Sequence, residues 1–402
     1  MENHVKNIAV INGCDFGSTG TISSQIINYI SNKMPLDFTI YVSDKRTNNE
    51  KVVDINKNKF LKQINRIAVK IFGDDGFRNK ANTKKLLKIL KNSMPDLIHI
   101  HNLHGYYINM PMLLDFTQKN NIPVIWTLHD NWVFTGRCAF VPTDCPNFKN
   151  QCKSCSHLKS YPKTFFDKAH KYYGIKKNLF ENKNIVFVSP SQWNKDLAKE
   201  SLLAQARVEV INNGIDLTAF YPRQSNEKKV AMGVSDRFVI LCAAYPWTER
   251  KGLSYINKLA AELDSSKFAI VMVGVTDDVE TNENIIRHPR VSNQNELAEF
   301  YSMADVFLTP TKGDNYPTVD MESLACGTPV ISFDTGGTKE IVVSDVGVVV
   351  PQDDYDGLKE SIYKIYENPI SKDKCYDYAK RFDKNLMLEA YLKLYMEMLK
   401  EG

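Results

Sequence analysis

The stretch VFLTPTKGDNYPTVDMESLACGTPVISFDTGG, residues 306–337, predicts a complete strand–helix–strand unit. Val306–Thr309 and Val330–Phe333 are short apolar runs without alternation, which is typical of strands buried on both faces. Pro317 stands where the first residue of a helix is expected, and a Gly-Thr-Pro turn separates that helix from the second strand. Such a unit is the building block of a parallel sheet.

Two carboxylates flank the predicted start of this helix. Asp314 precedes it, and Glu322 lies inside it. The backbone N–H groups of Thr318 and Val319 would point at whatever occupies the helix N-terminus. This arrangement suits a diphosphate there, with the carboxylates accepting hydrogen bonds from sugar hydroxyls. The alternative is a capped, solvated helix start, which the complete strand–helix–strand unit disfavours.

Short apolar runs alternate with stretches of helical period along all 402 residues. Helical segments between buried strands imply right-handed crossovers and parallel sheets. Ten such strands are too many for one ordinary sheet, so the sequence predicts an α/β fold with two doubly wound domains. We place the boundary near residue 206, with Pro222–Lys229 as a second candidate linker. The predicted strands are Ile8–Ile11, Phe38–Val42, Leu97–Ile100, Val124–Leu128, Ile185–Val188, Val208–Ile211, Phe238–Ala243, Phe268–Val273, Val306–Thr309 and Val330–Phe333.

Two further strand-to-helix turns carry residues suited to phosphate binding. Gly13, Gly17 and Gly20 follow the first strand, but their G-x3-G-x2-G spacing differs from the dinucleotide fingerprint and also suits a plain tight turn. Arg250 and Lys251 follow a later strand, where basic side chains can neutralise a diphosphate leaving group. Alone, two basic residues in a turn are usually only solvated.

Histidines follow two of the predicted strands. His129 lies just past a strand end, where open α/β sheets bind ligands, so we predict a functional role for it. His99, His101 and His104 surround another strand end. They could be mistaken for a metal cluster, but no carboxylate follows at ligand spacing. We expect one or two of them to line a cleft as polar side chains.

Composition excludes several classes of protein. Hydrophobic residues make up 43% and charged residues 24% of the chain, which excludes a disordered or coiled-coil protein. The 51 basic and 47 acidic side chains leave a net charge of +4. Dedicated nucleic-acid-binding domains usually carry a larger excess, so no nucleic acid is expected as a partner. We see no signal peptide and no apolar run of membrane-helix length, and we expect a cytoplasmic protein.

A local excess of positive charge lies at residues 51–100. Twelve basic residues against four acidic ones give this window a net charge of +8; the basic ones are Lys51, Lys57, Lys59, Lys62, Arg66, Lys70, Arg78, Lys80, Lys84, Lys85, Lys88 and Lys91. Within it, the segment 59–72 has helical spacing, with one apolar face formed by Phe60, Leu61, Ile64, Ile67, Ala68 and Ile71. That face packs on the core in one interpretation. In the other, a basic amphipathic helix rests on an anionic membrane, which would make the protein peripheral on the inner membrane face.

Four of the eight cysteines form a cluster. Cys138, Cys145, Cys152 and Cys155 fall within eighteen residues, and four soft ligands in one loop suit a tetrahedral structural Zn²⁺. Buried reduced thiols and disulfides are the alternatives. Four thiolates would leave no open position for catalysis. The isolated cysteines are expected to pack as small hydrophobic side chains; they are Cys14, Cys242, Cys326 and Cys375.

These motifs together resemble the retaining GT-B glycosyltransferases of family 4. Asp314 and Glu322 resemble the family's E-x7-E motif, and ESLACGTPVI surrounds the second acid. The family order is kept along nearly the whole chain by PDLIHIHN, TLHDNW, PSQW, INNGID, RKGL and ELAEFYSMADVF. TLHDNWVFTGRC and DNYP resemble the branch that builds colanic-acid-like and capsular polysaccharides.

The resemblance implies two Rossmann-like domains facing a central cleft. Residues 1–206 would bind the acceptor and residues 207–383 the nucleotide sugar, while a last helix at 384–402 would cross back onto the first domain. The donor would be a UDP- or GDP-sugar. The acceptor would be a glycan, in lipid-linked form, to which the basic stretch at 51–100 would bring the enzyme.

The resemblance also implies roles for single residues. Glu322 would bind the ribose hydroxyls, Asp314 would lie near the donor sugar, and His129 would contact that sugar at the reacting centre. The donor-binding set is Gly20, Arg250, Lys251, Asp314, Tyr316, Thr318, Val319 and Glu322, and the catalytic set is His129, Asp314, Arg250 and Lys251. Three positions depart from the family pattern: Asp314 replaces Glu, Pro317 replaces Gly, and Tyr245 stands where the family has its diphosphate Arg.

The implied reaction is glycosyl transfer with retention. Protein donors would stabilise the leaving diphosphate in place of a metal, so no catalytic cofactor is expected. Two alternatives remain. A GT-B epimerase or hydrolase would share the second-domain motifs, and a non-enzymatic, zinc-containing nucleic-acid-binding or scaffold protein would use the cysteines and the basic window but leave the acidic motif unexplained.

Overall fold

Two parallel β-sheets organise the chain in a computed structural model, which describes residues 5–56, 58–141, 145, 147–181, 184–291 and 293–401. Of Lys59 and Glu401 only the backbone is described, and Lys57 of the basic window lies outside the described residues. The chain divides into two compact units. Unit 1 contains the residues up to Ile211 and those from Leu388 onward, and unit 2 contains Asn212–Met387.

Unit 1 is built on a sheet of seven parallel strands in the order β3-β2-β1-β4-β5-β6-β7. The strands are β1 (Lys6–Cys14), β2 (Leu36–Asp44), β3 (Val52–Asp54), β4 (Leu97–Ile100), β5 (Val124–Thr127), β6 (Ile185–Ser189) and β7 (Arg207–Val210). The helices are α1 (Gly17–Ser31), α2 (Lys59–Phe72), α3 (Lys80–Ser93), α4 (Met110–Lys119), α5 (Ala169–Phe180) and α6 (Gln192–Lys199). Ser191 caps α6 as its sequence suggests, since its hydroxyl accepts from the Asn194 N–H at 3.1 Å.

Unit 2 repeats the architecture with six parallel strands in the order β10-β9-β8-β11-β12-β13. The strands are β8 (Phe238–Ala243), β9 (Phe268–Val273), β10 (Ile285–His288), β11 (Val306–Thr309), β12 (Val330–Phe333) and β13 (Gly347–Val350). The helices are α7 (Asn226–Ala231), α8 (Leu253–Glu262), α9 (Gln294–Met303), α10 (Thr318–Ala325), α11 (Thr338–Ile341), α12 (Tyr355–Glu367) and α13 (Lys372–Ala379). The division between the units falls after Ile211, nearer to the predicted residue 206 than to Pro222–Lys229, whose last residues begin α7.

The last helix, α14 (Lys384–Glu401), belongs to unit 1 from Leu388 onward. Two of its buried tyrosines are bound to strand residues of the sheet. The Tyr395 hydroxyl lies 2.8 Å from Nδ1 of His99, and the Tyr391 hydroxyl lies 2.9 Å from the Thr127 hydroxyl. The second ring nitrogen of His99 also contacts Thr127, at 2.9 Å. A hydrogen-bonded chain of buried polar groups therefore fixes this helix against β4 and β5.

The predicted fold class is confirmed, since all ten predicted strands are present and both sheets are parallel and doubly wound. Three strands were not predicted: β3, β10 and β13. All three are edge strands of three or four residues. Polar residues interrupt two of them, Asp54 in β3 and Arg287 in β10, so these two lack the unbroken apolar run that marks a central strand.

Helix α2 corrects the first interpretation of residues 59–72. Its apolar face does not pack on the core: Phe60 is 76% exposed, and Ile64 and Ile67 are exposed as well. The buried side is instead formed by Asn65 and Val69. The helix itself is well delimited, because the Asn58 side chain caps its N-terminus and Gly73 ends it in a left-handed conformation.

Among the described residues, none of the helices combines the length and the apolar character that crossing a bilayer requires.

Candidate active site

The strand order of unit 2 reverses between β8 and β11, which makes this the topological switch point of the sheet. Ligands of open α/β sheets bind in the crevice at such a point, beside the carboxyl ends of the strands. The loop after β8 leads into a short 3-10 turn, Glu249–Lys251, and the loop after β11 leads into α10. The basic pair and the first acid of the sequence motif are therefore brought to the same edge.

A salt bridge joins the two loops. Nζ of Lys251 lies 2.9 Å from Oδ2 of Asp314, and both side chains are about three-quarters shielded from solvent. Burial alone raises the pKa of Asp314, but the Lys251 ammonium, the Arg250 guanidinium and the Asn315 N–H together hold the pKa below its ordinary value. Asp314 is thus a carboxylate and Lys251 its cation, and both line a small cavity together with Pro317 and Val319.

Arg250 fixes the backbone of this edge. Its Nη1 donates to the Gly313 carbonyl at 2.6 Å, and its own carbonyl accepts from the Lys312 N–H at 2.8 Å. The guanidinium therefore bridges the two loops. Tyr245, which stands where the family has its diphosphate Arg, is half-exposed, and the Arg290 guanidinium lies 4.5 Å from its ring centroid.

Helix α10 begins at Thr318, with Pro317 as its N-cap at φ −69°. The helix thus starts one residue later than the predicted N1 proline, and the amides of Thr318 and Val319 lie in its first turn, where a helix supplies no acceptor of its own. Tyr316 precedes this start, but its ring is buried in the core of unit 2. Its predicted contact with the donor stays a prediction.

Glu322 lies one turn further along α10 and is half-buried. Its Oε2 accepts a hydrogen bond from the buried Tyr301 hydroxyl at 3.1 Å. Burial raises the pKa of Glu322 to about 7, and the hydrogen bonds from Tyr301 and Thr318 only partly offset this. The carboxyl group is held in one orientation by neutral hydroxyl donors, which suits the acceptance of hydrogen bonds from further hydroxyl groups.

Asp320 is the residue of this region that sequence reasoning missed. It is fully buried, its Oδ1 accepts from the Thr309 hydroxyl at 2.9 Å, and its Oδ2 has no hydrogen-bond partner within the described residues. Burial raises the pKa of Asp320 to about 7. An acid in the first turn of a helix usually faces solvent, so the sequence carried no signal that this one points inward.

Unit 1 gathers its histidines at its own switch point, between β1 and β4. Nδ1 of His101 lies 2.8 Å from Nε2 of His129, and Nε2 of His104 lies 2.5 Å from Oδ2 of Asp130. Burial lowers the pKa of His129 to about 4, so this imidazole is neutral at physiological pH. Of the three histidines around β4, His99 and His101 are both buried, and His99 bonds Tyr395 and Thr127 instead of another histidine.

Gly20 lies in the first turns of α1 and is buried. A Cβ atom there would lie 2.5 Å from the carbonyl carbon of Asp15. The glycine therefore permits close packing of the helix on its own entry loop. The predicted approach of Gly20 to a diphosphate stays a prediction.

No group of three or more His, Cys, Asp or Glu side chains in the described part of the chain is already arranged to hold a metal ion.

Two family models match the chain in succession. The model described as Glycosyltransferase Family 4 matches residues 40–219, and the model described as Glycosyl transferases group 1 matches residues 224–382. The chain belongs to the GT-B glycosyltransferases. The alternative of a non-enzymatic nucleic-acid-binding or scaffold protein is therefore wrong.

Similar proteins of known name or structure agree with this family. A protein of Escherichia coli K12 named as a colanic acid biosynthesis glycosyl transferase, WcaC, is 27% identical over 338 residues, which cover 77% of this chain and 78% of the relative. Sucrose-phosphate synthase from Thermosynechococcus elongatus superimposes with a TM-score of 0.71 at 14% identity, covering 99% of this chain and 100% of that one. Anabaena HepE, solved with UDP-glucose, superimposes with a TM-score of 0.67 at 13% identity, covering 97% and 99%.

The donor-binding residues predicted in unit 2 of this glycosyltransferase occupy three places. Arg250, Lys251 and Asp314 lie in the loops after β8 and β11, whereas Tyr316 lies in the core. The other three lie on α10; they are Thr318, Val319 and Glu322.

A glycine positions the acidic loop of this glycosyltransferase. Gly336 has a φ of +60°, and a Cβ atom there would lie 1.5 Å from the Asp314 carbonyl oxygen. We expect Gly336→Ala to displace the Asp314 loop and to lower the free energy of unfolding by about 3 kcal/mol or more, measured by denaturant titration. Gly233→Ala is the matched control, since Gly233 has a φ of +66° but open space around it. The control should lose only about 1–2 kcal/mol, and equal losses would contradict the proposed clash.

Proposed function

We propose that this glycosyltransferase moves a hexose from a UDP- or GDP-sugar to a glycan acceptor, with retention of the anomeric configuration, in the synthesis of a surface polysaccharide or glycolipid. The observation that carries this proposal is the Lys251–Asp314 pair at the β8–β11 switch point, beside the N-terminus of α10 and next to the desolvated Glu322. A cation and helix amides at a strand edge suit a diphosphate, and carboxylates suit hydroxyl groups.

The diphosphate is proposed to lie against Lys251 and the first amides of α10. As the bond between the sugar C1 and the diphosphate oxygen breaks, its electron pair passes to the leaving group, where negative charge grows. The Lys251 ammonium is already oriented by Asp314, so little reorganisation is needed when this charge appears. Two solved structures of Anabaena HepE, with UDP and with UDP-glucose, support a nucleotide-sugar donor for this fold.

The nucleoside and sugar are proposed to bind through the two carboxylates. Glu322 would accept from the ribose hydroxyls, and Asp314 from a hydroxyl of the donor sugar. In the retaining reaction the acceptor hydroxyl attacks C1 from the face that the diphosphate leaves, and its proton passes to a diphosphate oxygen. The contact of His129 with the donor sugar stays a prediction of the resemblance, and its low pKa would make it a neutral hydrogen-bonding group there.

The acceptor is proposed to be lipid-linked, because unit 1 carries an exposed surface suited to a membrane. This surface, the α2 face, consists of Phe60, Ile64 and Ile67, and of Phe165 and Phe166 beside the last turn of the helix. The Phe165 N–H donates to the Lys70 carbonyl at 2.9 Å, which fixes the two phenylalanines next to α2. Exposed aromatic and aliphatic side chains flanked by lysines suit an anionic bilayer. A partial relative from Streptococcus pneumoniae, named α-galactosylglucosyldiacylglycerol synthase, is 23% identical over 230 residues, which cover 53% of this chain and 60% of the relative.

The double variant Phe60→Ala/Ile67→Ala tests the α2 face. We expect it to bind vesicles containing phosphatidylglycerol about 10-fold more weakly than the wild type in a sedimentation assay, because two apolar side chains that would insert into the lipid are lost. Added salt should also weaken the wild-type binding. Val230→Ala is the control, since Val230 is 69% exposed but lies in unit 2. Equal binding to vesicles of phosphatidylcholine alone would contradict the electrostatic part of the proposal.

The donor is tested by thermal-shift screening against UDP- and GDP-sugars, followed by incubation of the stabilising sugar with a lipid-linked oligosaccharide. A true donor raises the melting temperature because it binds only the folded state, and NMR of the product gives the anomeric configuration. Rapid turnover of the donor without any acceptor would instead support the epimerase or hydrolase alternative. Inversion at C1 would refute the retaining mechanism while leaving the transferase intact.

A further inference from the structure

A long irregular segment of unit 1 joins β5 to α5. Between Thr127 and Ala169, the described residues contain neither helix nor strand. Ordered segments of this length without secondary structure are uncommon in compact domains. Four of the chain's eight cysteines lie within this segment; they are Cys138, Cys145, Cys152 and Cys155.

The four cysteines line one small cavity of about 20 Å³, which is close to the space that a single water-sized particle needs. Cys138 and Cys152 are buried, whereas Cys145 and Cys155 are half-buried. The thiols of Cys138 and Cys155 are hydrogen-bonded to each other, and Cys152 interacts with both Cys145 and Cys155. Cysteines that are distant along the segment thus converge on the same space.

Polar groups around the cavity suit sulfur atoms that carry negative charge. The Gly136 N–H donates to Sγ of Cys152 at 3.3 Å, and Nη1 of Arg137 lies 4.0 Å from Sγ of Cys155. The Arg137 guanidinium is fixed in place, since Nη1 also donates to the His157 carbonyl at 2.9 Å. Donors to ligand atoms are the usual surroundings of metal-bound thiolates.

The backbone holds the cysteine loop in a strained form. Gln151 and Cys152 both have left-handed conformations, with φ of +60° and +51°. The Cys152 N–H donates to the Asn147 carbonyl at 2.7 Å, and the Cys155 N–H donates to Oδ2 of Asp167 at 2.8 Å. Non-glycine residues keep such conformations only where their surroundings over-determine them. Here the result is that Cys152 faces the other three thiols.

We propose that Cys138, Cys145, Cys152 and Cys155 bind one structural Zn²⁺. Four Zn–S bonds form, four thiol protons are released to solvent, and no group is oxidised or reduced. The set carries two negative charges in total, and the Arg137 guanidinium beside Cys155 offsets part of this charge. Because four thiolates complete a tetrahedron, the ion has no open position for substrate.

Zinc binding would draw the sulfur atoms inward. They line the cavity without yet forming a metal-binding arrangement among the described residues, and each would move to about 2.3 Å from the ion. The site would also fix the end of β5. The Asn131 N–H donates to the carbonyl of Ala139 at 2.8 Å, which places the residues after His129 directly against the cysteine loop.

The metal content of the full-length protein, purified in the presence of reductant, tests this proposal. We expect about one zinc per chain by atomic absorption, and release of that zinc to a chromogenic chelator. Replacement by Co²⁺ should give the thiolate charge-transfer and tetrahedral d–d bands of a four-sulfur site. The variant Cys152→Ser should lose the zinc, whereas Cys375→Ala, a buried cysteine in unit 2, should keep it.

If Cys152→Ser does not fold, the melting temperature of the wild-type protein still tests the proposal. Chelation should lower its melting temperature, and added ZnSO₄ should restore it. Protein that is free of zinc, takes up none when ZnSO₄ is added, and melts at the same temperature in either case would overturn the proposal. A Cys138–Cys155 disulfide, seen as two missing thiols in the absence of reductant and no metal, would overturn it as well.

Discussion

Replacement of Glu322 by alanine should weaken the binding of the nucleotide-sugar donor about 100-fold without unfolding the protein. Hydrogen bonds to a charged acceptor contribute about 1.5–3 kcal/mol each, and Glu322 is proposed to accept from two ribose hydroxyls. The folded state should tolerate the loss, because burial already raises the pKa of this carboxyl to about 7 and so disfavours its ionised form. The measurement is titration calorimetry with the donor found by thermal shift.

The pH dependence of donor affinity provides a second readout for Glu322. Hydroxyl groups donate best to the ionised carboxylate, so wild-type affinity should fall as the pH drops below about 7. Glu322→Gln should bind weakly and lose this dependence. Asp320 titrates in the same range, so Asp320→Asn must be measured in parallel. Glu360→Gln, an exposed acid on α12, is the control for a general charge effect. Unchanged affinity of Glu322→Ala for the donor would refute the proposal that Glu322 binds the ribose.

Replacement of Lys251 by methionine should lower kcat about 100- to 1000-fold while changing the KM for the donor much less. The ammonium faces negative charge that appears only as the diphosphate departs. Its loss therefore raises mainly the free energy of the transition state. Methionine keeps most of the side-chain length but leaves Asp314 without its cation. The pKa of Asp314 should then rise, because the Lys251 ammonium is the largest of the effects that oppose burial.

Initial rates at saturating donor and acceptor separate these effects. Lys258→Met is the matched control, since Lys258 lies on the neighbouring α8 and 56% of its side chain is exposed. Within the described residues its salt-bridge partner is Glu262, at 3.9 Å. The control should keep the wild-type kcat. A Lys251→Met enzyme with normal kcat and a raised KM would show that Lys251 binds the ground state as strongly as the transition state, and the leaving-group role would be wrong.

The central strands and the acidic motif could be predicted from the sequence because burial on both faces leaves an unbroken apolar run. Val306–Thr309 and Val330–Phe333 coincide with β11 and β12 for this reason. The short strands β3 and β10 escaped prediction because polar residues interrupt their apolar runs, whereas β13 is apolar but only four residues long. Periodicity likewise showed that α2 is amphipathic, but only the fold showed that the apolar side of α2 faces outward.

Within the candidate site, sequence spacing identified Lys251 and Asp314 as candidate residues but did not predict the salt bridge between them. Contact between the loops after β8 and β11 depends on the strand order, and nothing in the local sequence specifies that order. The inward orientation of Asp320 and the core position of the Tyr316 ring depend on packing in the same way. A pattern identifies which residue types are present, whereas the tertiary fold decides which of them face a ligand.

The hydrogen bonds of Tyr391 and Tyr395 to Thr127 and His99 have a consequence for biosynthesis. Unit 1 takes one of its helices from residues 388 onward, so His99 and Thr127 cannot gain these two partners until that part of the chain has been translated. A ribosome-bound chain would hold these two strand residues uncovered while the whole of unit 2 emerges. Packing of the N-terminal unit is thereby coupled to the synthesis of α14, and a stop codon after residue 387 would leave His99 and Thr127 without these tyrosine partners.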